Sequence, residues 1–148
     1  MPLIDEAFFL TRHGQQGSDF PAGLIDSHLD DAEDLLREMT SDSKYEETEV
    51  INGKDPGERT PDEDKQLSAF QRAEAELLMY AIIPKLNIKI GREGIVQSAF
   101  SQKFGEGNFR IATPDEIEEM KKPFLIAAYK CVKKYVSNPS VVTAVTTT

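Results

Sequence analysis

One cysteine, two histidines and no tryptophan occur among the 148 residues of this chain. A lone cysteine excludes an internal disulfide and fits an intracellular, reducing setting. Two histidines, His13 and His28, fall short of the ligand count and spacing of a zinc or di-iron centre, so no metal or other cofactor is expected. A run of about 18 apolar residues is also missing, so no membrane span is expected. Nor do the first residues show the basic start and apolar stretch of a signal peptide. Positive charge is scarce: 17 Lys and Arg stand against 26 Asp and Glu, for a formal net of −9.

The deficit is local. Residues 26–65 hold 15 Asp/Glu and 5 Lys/Arg, a net of −10, whereas the remainder holds 11 against 12, a net of +1. Phosphate binding needs clustered Lys and Arg, so this half argues against wrapping the whole chain on DNA. Its ordinary role is a solvated face on exposed helices. Its sharper role is a surface that docks a basic partner or keeps DNA from adhering. The length is that of one domain with a real hydrophobic core.

Residues 1–20 read as an N-terminal arm, a short apolar run Ala7-Phe8-Phe9-Leu10 followed by polar and glycine residues. A first helix is expected from about Pro21 to Met39, where Leu24, Ile25, His28, Leu29, Ala32, Leu35, Leu36 and Met39 keep the helical repeat. Residues 40–59, dominated by Ser, Asp, Glu, Gly and Pro, read as a mobile loop. Thr-Pro-Asp-Glu then occurs twice, at Thr60–Glu63 and Thr113–Glu116. Each copy predicts a helix start, with Thr as N-cap, Pro in the first turn and Glu closing a capping box.

The second helix has Leu67, Phe70, Ala73, Leu77, Leu78, Ala81 and Ile82 as its buried stripe, and Pro84 ends or kinks it. Leu86 to Ile90 alternate, glycines follow, and Ile95-Val96 start a return, which predicts a hairpin. The third helix carries Ile117, Met120, Phe124, Ala127, Ala128, Cys131, Val132 and Tyr135, with a kink expected at Pro123 and a stop at Asn138-Pro139. The expected fold is mainly α: a three-helix-type bundle with a β-hairpin or extended loop between the second and third long helices. Residues 21–137 form its single domain, residues 86–112 the hairpin, and residues 138–148 a Thr/Val-rich tail.

Few residues suggest chemistry. Phe8-Phe9-Leu10-Thr11-Arg12-His13-Gly14-Gln15 resembles the Arg-His-Gly signature of histidine phosphatases, in which a strand delivers a nucleophilic histidine to a phosphate pocket. That reaction needs a second histidine and a further arginine, and His28 follows too closely on an apolar stripe. His28 reads as a satisfied helix histidine. Cys131 has Lys130, Lys133 and Lys134 nearby, which lower a thiol pKa where they act, but its place on the stripe makes it a core residue first. Lys121, Lys122, Lys130, Lys133 and Lys134 make the third helix basic, either a solvated face or a contact for an acidic neighbour. An acidic first helix and a basic last one permit head-to-tail association.

The order of elements resembles the head–tail connector, or neck adaptor, proteins of tailed bacteriophages. The matching segments are Asp26–Met39, then Phe70-Gln71-Arg72-Ala73-Glu74-Ala75-Glu76-Leu77-Leu78-Met79-Tyr80-Ala81, then Ile90–Ser98 and Ile117–Tyr135. The resemblance implies a non-enzymatic structural protein of the virion neck, made in the bacterial cytoplasm. It implies a homo-oligomeric ring under the portal, bound to portal and tail proteins, with DNA passing nearby unread and no membrane. The expected interface is Ile88, Ile90, Ile95, Val96, Phe100, Phe104 and Phe109 of the hairpin, with Lys130, Lys133 and Lys134. The rival readings are a small intracellular protein-binding adaptor and a divergent histidine phosphatase using His13.

Overall fold

The computed structural model describes residues 1–86, 88–91, 96–98 and 109–136. These are mainly helical, forming α1 (Glu6–His13), α2 (Leu24–Ser27), α3 (Leu29–Met39), α4 (Asp42–Gly53), α5 (Pro61–Ile82) and α6 (Pro114–Val132). The two Thr-Pro-Asp-Glu boxes do what their chemistry dictates. Thr60 Oγ1 accepts from the Glu63 N–H at 3.2 Å while Glu63 Oε1 accepts from the Thr60 N–H at 3.1 Å. The pair Thr113 and Glu116 repeats this at 3.3 and 3.0 Å. Four of the N–H groups that these helices leave free at their starts are thereby satisfied.

Helix α5 is the axis of the bundle, and α1, α2, α3, α4 and α6 all pack against it. Phe70, Ala73, Leu77, Leu78 and Ile82 are fully buried along it, together with Phe9, Leu36, Met39 and Tyr45 from its neighbours. Of the expected stripe, only Ala81 is half-exposed. Burying a Leu or Phe contributes roughly 1.5–3 kcal/mol, so this axis holds the fold's main stabilisation. After Ile82 the chain tightens into a 3-10 turn, Ile83–Lys85, that contains Pro84.

Three expectations for the first half are corrected. Residues 1–20 are not an arm: Leu3, Ile4, Phe9 and Phe20 are buried in the common core. The helix expected over 21–39 is two helices. Ser27 Oγ donates to the Leu24 carbonyl at 2.9 Å, and His28 Nδ1 meets the same carbonyl at 2.9 Å. Side chains thus take the acceptor that a continuous helix would give to the His28 N–H, which turns to Ile25 instead.

The third correction is the largest. The segment expected as a loop at 40–59 is mostly α4, started by Ser41, whose Oγ accepts from the Lys44 N–H at 3.1 Å. Tyr45, Thr48 and Ile51 give α4 a buried face at helical spacing. Thr48 hides its hydroxyl by donating to the Lys44 carbonyl at 2.8 Å. The far end is closed by Arg59, whose guanidinium donates to the carbonyls of Ile51, Asn52 and Lys54 at 2.9–3.1 Å.

Helix α6 runs through Pro123, which is exposed, so water can replace the N–H it lacks. The helix gives way to a 3-10 turn at Lys133–Tyr135, ahead of the expected stop at Asn138-Pro139. That stop and the tail lie outside the described residues. Between α5 and α6, strand β1 (Ile88–Gly91) pairs antiparallel with β2 (Val96–Ser98) and β3 (Phe109–Ile111), in the order β2-β1-β3. Ile90 registers opposite both Val96 and Arg110.

Candidate interaction surface

The Arg12-His13-Gly14 string closes a helix instead of lying on a strand. Gly14 adopts the left-handed conformation, φ 62°, that a side chain would disfavour. Its N–H donates to Thr11 and the Gln15 N–H donates to Leu10, the bonding pattern of a Schellman cap. Arg12 places positive charge at the negative end of α1. Arg12 pairs with Glu76 at 3.0 Å. His13 Nε2 lies 3.1 Å from the Ala75 carbonyl, which only accepts, so this nitrogen carries the proton. The ring sits between Phe9 and Phe124, at 4.9 and 5.7 Å between centroids. Arg12 and His13 thus join α1 to α5 and α6, and Gly14 ends the helix.

The most unusual polar group is Glu74, fully buried in the middle of α5. Its Oε2 accepts from the Leu3 and Ile4 N–H groups at 2.7 and 3.1 Å, and its Oε1 meets the Tyr45 hydroxyl at 2.5 Å. Burial pushes the carboxyl up to about 7, against the opposing pull of the Tyr45 and backbone donors. Burial, and then the Glu74 charge, hold the Tyr45 phenol well above its ordinary value. Tyr45 Oη also lies 3.2 Å from the Met1 carbonyl. A single hydroxyl proton serves one acceptor at a time. Ionised, Glu74 takes that proton; protonated, it donates to Tyr45, which then donates to Met1.

A second layer surrounds this node. Arg37 sits 4.4 Å over the Tyr45 ring and pairs with Glu33 at 3.0 Å and Glu49 at 2.9 Å. The Met1 ammonium reaches the same two carboxylates, at 2.7 and 3.2 Å. Glu74 has both oxygens bonded, so its arrangement serves anchoring: it ties the first residues and α4 to α5. The composition-based reading passed over Glu74 and Tyr45. The available signal was position, since Glu74 stands four residues from Phe70 and from Leu78, on the buried stripe itself.

The expected interface residues divide in two. Ile88 and Ile90 stand on β1, Val96 on β2 and Phe109 on β3, whereas Ile95, Phe100 and Phe104 lie outside the described residues. The lysines are brought together. Lys130, Lys133 and Lys134 join Lys65 of α5 around Ala69, Cys131 and Tyr135, lining an open groove of about 470 Å³ with room for a few side chains. All four lysines are exposed and form no ion pair among the described residues. Lys134 Nζ lies 5.2 Å from the Tyr135 ring. Cys131 is half-buried, and burial raises its thiol pKa despite the nearby arginines, which keeps it protonated and unreactive.

Lys121 and Lys122 are occupied differently, paired with Glu118 and Glu119 at 3.2 and 3.0 Å, with Lys121 also 4.5 Å over the Tyr80 ring. Unmatched positive charge on α6 is therefore confined to its C-terminal end. No group of three or more metal-ligating side chains occurs among the described residues. Nor is any helix among them long and apolar enough to cross a membrane. Set against known proteins, the chain matches no family model, no curated sequence and no solved structure.

Proposed function

We propose that this protein is a structural component of a phage neck, a head–tail connector that assembles as a ring between portal and tail and carries no catalytic activity. The observation that carries the reading is the sheet inserted between two capped helices of a bundle. Strands β2 and β3 each pair with β1 on one side, leaving a backbone edge that no described strand fills. Such edges invite strand addition from another chain. On this reading residues 86–112 supply the contact with adjacent copies or the portal, and the antiparallel pairing of β1 with β2 and β3 agrees with it. That segment is more apolar in sequence than a free-standing hairpin of this length can bury.

Other features agree with the reading. The net of −10 over residues 26–65 suits a wall past which DNA moves without being held. His13, the residue the phosphatase reading requires, is engaged with Ala75 and two aromatic rings. The test is to replace residues 91–108 by a short Gly-Ser turn. Helix content by circular dichroism stays near that of the parent, while rings seen by negative-stain microscopy disappear. Unfolding of the shortened protein, or rings that persist, overturns the assignment of the interface. A parent protein that stays monomeric favours a small protein-binding adaptor instead.

A further inference from the structure

The lysine groove has a complement on the same molecule. Asp30, Asp34 and Glu38 follow each other at four-residue intervals on α3, all exposed and without an ion pair among the described residues. That interval sets them in one row, about 6 Å apart along the axis. Like charges at this spacing repel, so the row stands at some cost to α3. Neighbouring carboxylates are differently placed. Glu33 and Glu49 are taken by Arg37, Glu47 by Lys44 at 2.8 Å and Glu63 by Lys54 at 2.6 Å. The acidic region thus neutralises part of itself, and this row is among the carboxylates left over, with Asp26, Asp55, Glu58 and Asp62. The row and the groove do not meet within one chain: α3 and α6 each pack on α5, and no ion pair joins the two sets.

We propose that the groove formed by Lys65, Lys130, Lys133 and Lys134 receives the Asp30-Asp34-Glu38 row of a second copy of this chain. Lysines above Ala69, Cys131 and Tyr135 offer cations around a partly apolar floor, which suits the side of a helix. Each copy would present its own row to the next groove, a head-to-tail contact that repeats until it closes. A net of −9 repels copies at long range, but at moderate salt the field is screened within about 8–10 Å, so contact complementarity decides. The same net charge disfavours a nucleic acid as the occupant. The inference deepens the ring proposal and rests on it for closure only.

Charge reversal on the full-length protein tests it. One variant carries Asp30→Lys, Asp34→Lys and Glu38→Lys; the other carries Lys130→Glu, Lys133→Glu and Lys134→Glu. All six positions are exposed, so circular dichroism should match the parent in both. By sedimentation velocity at low salt, each variant alone should lose self-association by at least about a hundredfold, because like charges then face each other. A one-to-one mixture should regain it, since each reversed surface then meets its complement. Association untouched by either reversal, or unrestored on mixing, overturns the proposal. So does a parent that stays monomeric, or a lysine variant that loses binding to a labelled DNA duplex while still self-associating. If mixing restores open strings instead of rings, the pairing stands and the neck reading fails. If rings persist in both variants, the neck reading stands and the pairing fails.

Discussion

Helices α5 and α6 open on identical Thr-Pro-Asp-Glu boxes, yet 12 of the 22 residues of α5 are buried against 2 of the 19 in α6. In α6 only Ala128 and Val132 are buried, while Ile117, Met120, Phe124, Leu125 and Tyr129 are half-buried against the core. The difference lies in their neighbours. Helix α5 is packed by five helices, whereas the chief helical neighbour of α6 is α5 itself. A capping box fixes where a helix begins; the number of elements that return to it decides whether it becomes an axis or a wall. An apolar stripe left half-covered on a wall is the state expected of a surface that meets another chain.

Truncation in the core should separate the two most. Leu77→Ala, at a fully buried site on α5, is expected to cost about 3–5 kcal/mol from lost transfer energy and the cavity left behind. Phe124→Ala on α6 removes a larger side chain but from half-buried surroundings, and roughly 1–2 kcal/mol is expected. Urea denaturation of the monomer measures both. Equal losses would break the contrast, because they would make α6 part of the core after all.

The next effect belongs to Glu74. Its folded pKa of about 7 lies above the ordinary glutamate value of about 4.3. The folded state therefore binds this proton more tightly than the unfolded one. The stabilisation is fully present below about pH 4.3 and is lost as pH rises through about 7. A loss on the order of 3–4 kcal/mol is expected across that window. Glu74→Gln imitates the protonated carboxyl, accepting from Leu3 and Ile4 and donating to Tyr45, and should flatten the profile while holding stability above neutral pH. A parent whose stability rises across the same window would show that the Tyr45 and backbone donors, not burial, set the carboxyl's state.

Legibility in the sequence followed the same division. Both long helices were readable because Thr, Pro and Glu act locally and the apolar repeat is strong. Helix α4 was not, since its buried face is Tyr45, Thr48 and Ile51, and Thr48 counts as polar until its hydroxyl is seen bonded to Lys44. Residues 1–20 read as an arm because what ties them down is remote. Glu74 holds Leu3 and Ile4 from some 70 positions away. The break at His28 depends on two side chains competing for one carbonyl, which the apolar repeat does not register. Of the candidate surface, the lysines of α6 were visible, but Lys65 joins them only through packing of α5 on α6.

The smallest effect gives the sharpest version of the comparison, because it holds the local chemistry constant. Thr60→Ala and Thr113→Ala each delete one N-cap acceptor, at 3.2 and 3.3 Å from the amide it serves. An N-cap truncation costs about 1 kcal/mol. Measured by global unfolding, the two losses should therefore agree within about 0.5 kcal/mol. Local opening should not agree. The first turn of α5 is backed by α4, with Lys54 bound to Glu63 and Arg59 closing α4 from the same connection. The two first turns are equally exposed, at Thr60, Pro61 and Asp62 and at Thr113, Pro114 and Asp115, so the Lys54 and Arg59 contacts carry the expected difference. Amide exchange should thus quicken in the opening turn of α6 after Thr113→Ala, and change little in α5 after Thr60→Ala. Equal quickening at both sites would mean that the packing around α5 does not reach its first turn, and the contrast between axis and wall would then begin only at the buried Gln66 and Leu67.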